Sequence, residues 1–117
     1  GLLGQWAVWT HQAVKDLEAI KDLRAHGGEI PISLLTRAQQ LTDANAAIFD
    51  AGNSFSGCIP GIHEILRRQG LMEGLWTLNP NEVLSPGQSE ALDRVCQAYP
   101  SLNDDEFVKE NLDRWLR

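Results

Sequence analysis

His63-Glu64 begins like the H-E-x-x-H signature, in which two histidines four residues apart share one helix face and one zinc ion. Position 67 is Arg67, so the second ligand is missing. Cys58 stands five residues before His63, and a thiol beside an imidazole is the usual nucleophile–base couple. That offset at a helix start does not reliably bring the two side chains together, and no acid is placed to orient the imidazole. Asp43, Asn45, Asp50 and Gly52 have the residue types of a calcium loop without its spacing. The lysines are Lys15, Lys21 and Lys109, all in charged helical stretches and not in the apolar pocket a Schiff-base lysine needs. Gly57 to Gly61 contains glycine but lacks the Walker pattern, and reads as a tight helix entry. Its amides with Arg67-Arg68 form at most a simple anion site. The acidic run Asn103 to Glu106 is explained by helix capping. No residue is therefore assigned a catalytic, cofactor-binding or metal-ligating role.

The elements that would position these groups are all helical. Trp6, Trp9, Ala13, Leu17, Ile20 and Leu23 recur every three or four residues and predict a helix over residues 3–26. Gly27-Gly28 ends it, with Arg24 and His26 in the last turn. A second helix is expected over 31–50, with Leu34, Ala38, Leu41, Ala44 and Ile48 as its stripe and Asn45 beside it. The third spans 59–69, with Pro60 in the first turn and Gly70 as the stop. Residues 71–84 carry Gly74, Trp76, Leu78 and Asn79-Pro80, and read as an ordered connection pinned by Trp76 and Leu78. Ser85-Pro86-Gly87-Gln88 has the form of a capping box and starts a fourth helix over 86–99, with Leu92, Val95, Cys96 and Tyr99 inward. Asn103 and Glu106 mark the start of a fifth helix over 104–116, with Leu102 and Phe107 as a hydrophobic staple. The fold class is all-α, with residues 1–117 as one helical domain or a C-terminal piece of a longer chain.

Composition narrows the partners. A net charge of −6 with no basic run longer than Arg67-Arg68 argues against nucleic acid and anionic membranes. No apolar run reaches the ~20 residues of a membrane helix, and the first ten residues lack a signal-peptide pattern. A cytoplasmic protein with Cys58 and Cys96 as free thiols is the expectation. The four tryptophans fit core or interface packing better than ligand stacking. The apolar surface of the first helix exceeds what a small bundle needs, which implies a missing partner surface. Residue 1 reads as a cut in a longer chain, because helical periodicity begins almost at once.

The words DANAAIFD, GCIPGIHEILRRQGLMEGLWTLNPNEVLSPGQ and YPSLNDDEFV, densest from Asp43 to Val108, carry a resemblance. This pattern resembles the C-terminal region of dihydrodipicolinate synthase/N-acetylneuraminate lyase-like proteins, in a divergent, longer-tailed branch. The resemblance implies a (β/α)8 barrel, absent from this chain, followed by these helices. It also implies Schiff-base chemistry on a 2-oxo acid such as pyruvate, performed by a barrel lysine with help from a tyrosine. Neither residue has a counterpart here, and Tyr99, in a helix before Pro100, does not match the family tyrosine. No catalytic residue is carried over. The partners implied are the missing barrel portion of the same protein and further copies in a homo-oligomer. The alternative is a stand-alone acidic helical interaction module without enzyme activity, with the Trp6/Trp9 face as its contact surface.

Overall fold

The computed structural model describes residues 4–117, and every regular element in them is helical. Five α-helices follow one another: α1 Thr10–His26, α2 Ile32–Ile48, α3 Cys58–Arg68, α4 Gln88–Ala98 and α5 Asp105–Trp115. Short 3-10 turns occupy Gly4–Ala7, Ala51–Asn53 and Pro100–Leu102. The expected all-α class with about five helices is what the chain adopts.

The first helix does not run unbroken from Leu3, which itself lies outside the described residues. Trp9 adopts φ −129° and ψ 48°, outside the helical region, so a 3-10 turn precedes α1 instead of joining it. The amides of Val8 and Trp9 both reach the Gln5 carbonyl. The break turns Trp9 into the core, where it is fully buried against Ala44, Ile48 and their neighbours. A continuous helix would have kept it on one stripe with Leu17 and Ile20.

The core is centred on α2 and α4, which make the most extensive contact between helices. Ala44 and Ala47 are buried and small, so the two backbones approach closely. Ile48, Ile65, Leu92, Val95 and Leu102 fill the centre, with Cys96 and Tyr99 packed at its edge. At ~25 cal/mol per Å² of apolar surface, burying each of the aliphatic side chains stabilises by about 1.5–3 kcal/mol before chain entropy is counted. The stripe expected on α2 holds at its C-terminal half only. Leu34 and Leu41 are half-buried and Ala38 is exposed. The same fading affects α1, where Ala13 is buried while Ile20 remains 49% exposed.

Several helix ends follow their residue types. Gly27 and Gly28 take φ +68° and +119° after α1. Gly70, at φ +79°, closes α3 in a Schellman arrangement, with its amide on the Arg67 carbonyl and the Leu71 amide on the Leu66 carbonyl. Other boundaries shift. The second helix stops at Ile48, because Asp50 takes a left-handed conformation with φ 56° and ψ 45°. The fourth begins at Gln88 and not Pro86, because Gly87 sits at φ +80°.

The connection 71–84 departs most from expectation. Trp76 is 66% exposed and Leu78 fully exposed, so neither pins it to the core. Instead it is shaped from within by a turn at Asn79-Pro80-Asn81-Glu82, whose Glu82 amide donates to the Asn79 carbonyl at 2.9 Å. The staple at α5 is also realised differently. Leu102 is buried, whereas Phe107 stacks on His11 at 3.8 Å with rings 3° from parallel.

Candidate functional site

Polar chemistry in this chain is concentrated where the C-terminus of α2 meets the starts of α3 and α4. The left-handed turn at Asp50 points its carboxylate back under the following loop. Asn tolerates this conformation as Asp does, because a short polar side chain can bond locally. Oδ1 accepts from Asn53 Nδ2 at 2.7 Å. Oδ2 accepts from the Gly57 amide at 2.9 Å and the Ser85 hydroxyl at 2.6 Å. Ser56 Oγ lies 3.3 Å from Oδ2, but its single proton is closer to the Asn53 carbonyl at 2.8 Å. Burial pushes the Asp50 carboxyl up, and donation from Ser85, Asn53 and Gly57 outweighs it, so the group is held below its ordinary range.

Gln88 completes this cluster. Its Oε1 accepts from the Ser85 amide at 3.0 Å, which is one half of the expected capping box. The other half is replaced: the Ser85 hydroxyl goes to Asp50 and not to the helix it precedes. Gln88 Nε2 donates to the Gly57 carbonyl at 2.9 Å and lies 3.3 Å from the Ala47 carbonyl. Gly57 and Gly61 are required by this packing. A methyl group at Gly57 would collide with Gln88 Oε1, and one at Gly61 with the Ile48 carbonyl. The glycines admit a side chain and a backbone, leaving no empty cradle for a phosphate.

Glu64 is the second centre. It is buried and accepts from Arg67 Nε at 2.8 Å and Arg68 Nε at 2.7 Å, and Arg68 reaches on to Asp93 at 2.7 Å. The Arg67 hydrogen bond, opposed by burial and assisted by Arg68, holds its carboxyl at about 2. The third is Asp43, which takes both terminal nitrogens of Arg94 at 2.7 and 2.8 Å and the Tyr99 hydroxyl at 2.7 Å. Arg94 first and Tyr99 second lower its carboxyl to about 2. The fourth is Asp104. Its two oxygens accept the His11 and Gln12 amides, each at 2.8 Å, at the open start of α1. A residue in the acidic run at the start of α5 thus caps a different helix, 92 positions away.

The sequence candidates are dispersed among these roles. Glu64 next to His63 is an ion-pair anchor, with Arg67 as its partner. Cys58 and His63 make no hydrogen bond to each other among the described residues, and burial together with the charge of Glu82 pushes the Cys58 thiol up. Burial raises the Cys96 thiol too, so both free cysteines are weak nucleophiles. Asp43 and Asp50 face different partners, so they do not share an ion. Arg67 and Arg68 are spent on Glu64, which leaves the Gly57–Gly61 turn without a free cation. Lys15, Lys21 and Lys109 are exposed. No group of three metal-binding side chains occurs among the described residues, and no described helix is long and apolar enough to cross a membrane. Asp50 as an organiser was missed by the sequence reading. The signal was present in the D-x-x-N-x-x-S-G spacing, which is that of a carboxylate closing its own loop. In comparison with known proteins, the chain matches no family model, no curated protein and no solved structure.

Proposed function

We propose that this chain is the helical C-terminal region of a dihydrodipicolinate synthase-like lyase, with a packing and oligomer-contact role and no active site of its own. The observation that carries the proposal is an open apolar groove between α1 and α2, lined by Trp6, Ala13, Leu17, Ile20, Leu34 and Leu41. Exposed Ile30, Ile32 and Leu35 lie at the linked ends of the same two helices. The radius of gyration is 15.4 Å, against about 13 Å for a compact domain of this length. A helix pair held open with apolar sides inward is suited to lie on another layer, such as the outside of a barrel. The polar clusters support a scaffold role, because every strongly perturbed carboxylate is saturated by internal donors.

The test is reductive trapping of the protein encoded by the complete reading frame. With pyruvate and borohydride, the expected adduct adds to a lysine outside residues 1–117 the mass of the 2-oxo acid less the water lost on imine formation and plus the two hydrogens gained on reduction. Absence of an adduct with pyruvate and a panel of 2-oxo acids overturns the lyase reading.

A second reading is favoured by the same groove: a stand-alone module that associates through α1 and α2. Its contact surface cannot include Trp9, which is fully buried. A reading frame that ends at these 117 residues, with a dimer in light scattering, selects it over the first.

A further inference from the structure

A separate feature lies beside these clusters, where α3 faces the connection 71–84. A cleft of about 440 Å³ is lined by Ile59, His63, Trp76, Thr77, Leu78 and Glu82. Its volume is in the range of small-molecule pockets, and its walls are mostly apolar. The Trp76 indole is braced on one side: a methyl group on Gly74 would stand 3.1 Å from its Cε2 and 3.2 Å from its Cζ2. A side chain at this position would make the ring give by a few tenths of an ångström. The rest of Trp76 is open, at 66% exposure, so the ring is supported and presented together.

The remaining wall is preformed. Thr77 Oγ1 sits 2.7 Å from the Asn79 carbonyl and 3.2 Å from that of Glu82. Asn79 Oδ1 accepts the Asn81 amide at 3.1 Å, which locks the turn that carries Glu82. Glu82 is the only acidic residue in the lining, and no lysine or arginine joins it. None of the side-chain hydrogen bonds or ion pairs of the described residues engages its carboxylate, unlike Asp43, Asp50 and Glu64. Its charge is felt by Cys58 nearby.

We propose that this cleft binds a small organic ammonium ion with an aromatic or aliphatic body, the cation held by the Trp76 face and the Glu82 carboxylate and the body by Ile59 and Leu78. An indole is the best of the aromatic faces for a cation, and an unpaired carboxylate at the same rim selects positive over neutral ligands. The site is independent of the lyase reading, since it requires neither a barrel nor Schiff-base chemistry.

The test uses the 117-residue chain and three probes of similar shape: 2-phenylethylammonium, neutral 2-phenylethanol and anionic 3-phenylpropionate. The readout is the indole N–H resonance of Trp76 in a proton–nitrogen spectrum, assigned by its loss in Trp76→Phe. Saturable movement is expected with the ammonium, at a Kd on the order of 1 mM or below. The alcohol should bind at least roughly threefold more weakly, and Glu82→Gln should remove that difference. Trp76→Ala should abolish binding while the circular dichroism melt stays unchanged, because the side chain is largely outside the core. Equal binding of the alcohol and the ammonium overturns the proposal, as does an unmoved Trp76 resonance at saturating probe solubility.

Discussion

Asp50 and Glu64 each hold several donors with one buried carboxylate, and their removal has different consequences. Asp50→Ala leaves the Gly57 amide and Ser85 hydroxyl without an acceptor in a buried position. The expected loss is about 2–4 kcal/mol, measured as a lower urea midpoint at unchanged slope. Glu64 provides a pH signature. Its carboxyl is depressed from 4.5 to about 2, by Arg67 first and Arg68 in support. A depressed carboxylate contributes stability that is complete above its unfolded pKa and is lost as pH falls through the folded one. The melting temperature should therefore fall between about pH 4.5 and pH 2. Asp43, also at about 2, contributes to the same window. Glu64→Gln should lower stability at pH 7 and flatten this acid limb, while leaving the part due to Asp43. An acid limb as steep as that of the parent chain would show that Glu64 is not coupled to folding.

At the scale of the elements, the glycines decide how closely helices meet. Gly61→Ala would drive a methyl group into the Ile48 carbonyl at the α2–α3 contact. A loss of about 1–3 kcal/mol is expected from overpacking, although alanine is the better helix former in isolation. Thermal melts of the two chains check this, and a more stable alanine variant would contradict the geometry. The helices themselves were legible in the sequence because their punctuation is strong: Gly27-Gly28, Gly70 and Pro100 all lie just beyond a helix end. Less legible were the breaks caused by tertiary contacts. Nothing local marks Trp9 as a non-helical residue; its burial against α2 does so. Trp76 shows the same limit in reverse. Large aromatic side chains are usually buried, but here Gly74 and the turn at Asn79 shape the connection and leave the indole outside. The organising role of Asp50 is only half local: the D-x-x-N-x-x-S-G spacing marks the loop it closes, whereas its bond to Ser85, 35 residues away, escapes any local pattern.

Taken as a whole, the molecule has a tightly connected centre and a loosely attached first helix. The α2–α3–α4 unit is joined by the Asp50–Gln88 cluster and by most of the buried side chains. α1 buries Ala13, leans on this unit through the Arg37–Asp16 ion pair at 2.9 Å, and is tied to the start of α5 through Asp104. The helix also carries exposed Val14 and Ile20. Ile20→Lys should change the stability of the 117-residue chain by no more than about 0.5 kcal/mol, since the side chain is half in water already. In the complete protein the same substitution should weaken assembly if the groove is a docking face. Equal assembly of both forms in light scattering would remove the groove from that role.

The cap that Asp104 places on α1 has a consequence for how the chain opens. Two amide bonds to one carboxylate form a single latch between the first helix and the start of the last. When the latch releases, α1 loses its cap and one of its few tertiary ties together, while the α2–α4 core keeps its own bonds. Amide hydrogen exchange should therefore divide the protein into two cooperative units, with α1 exchanging through a partial opening and α2 and α4 only through global unfolding. Asp104→Ala should accelerate exchange across α1 by roughly five- to thirtyfold, the equivalent of about 1–2 kcal/mol, and leave the slowest amides of α4 much closer to their original rates. Uniform acceleration throughout the chain would mean that the first helix and the core unfold as one.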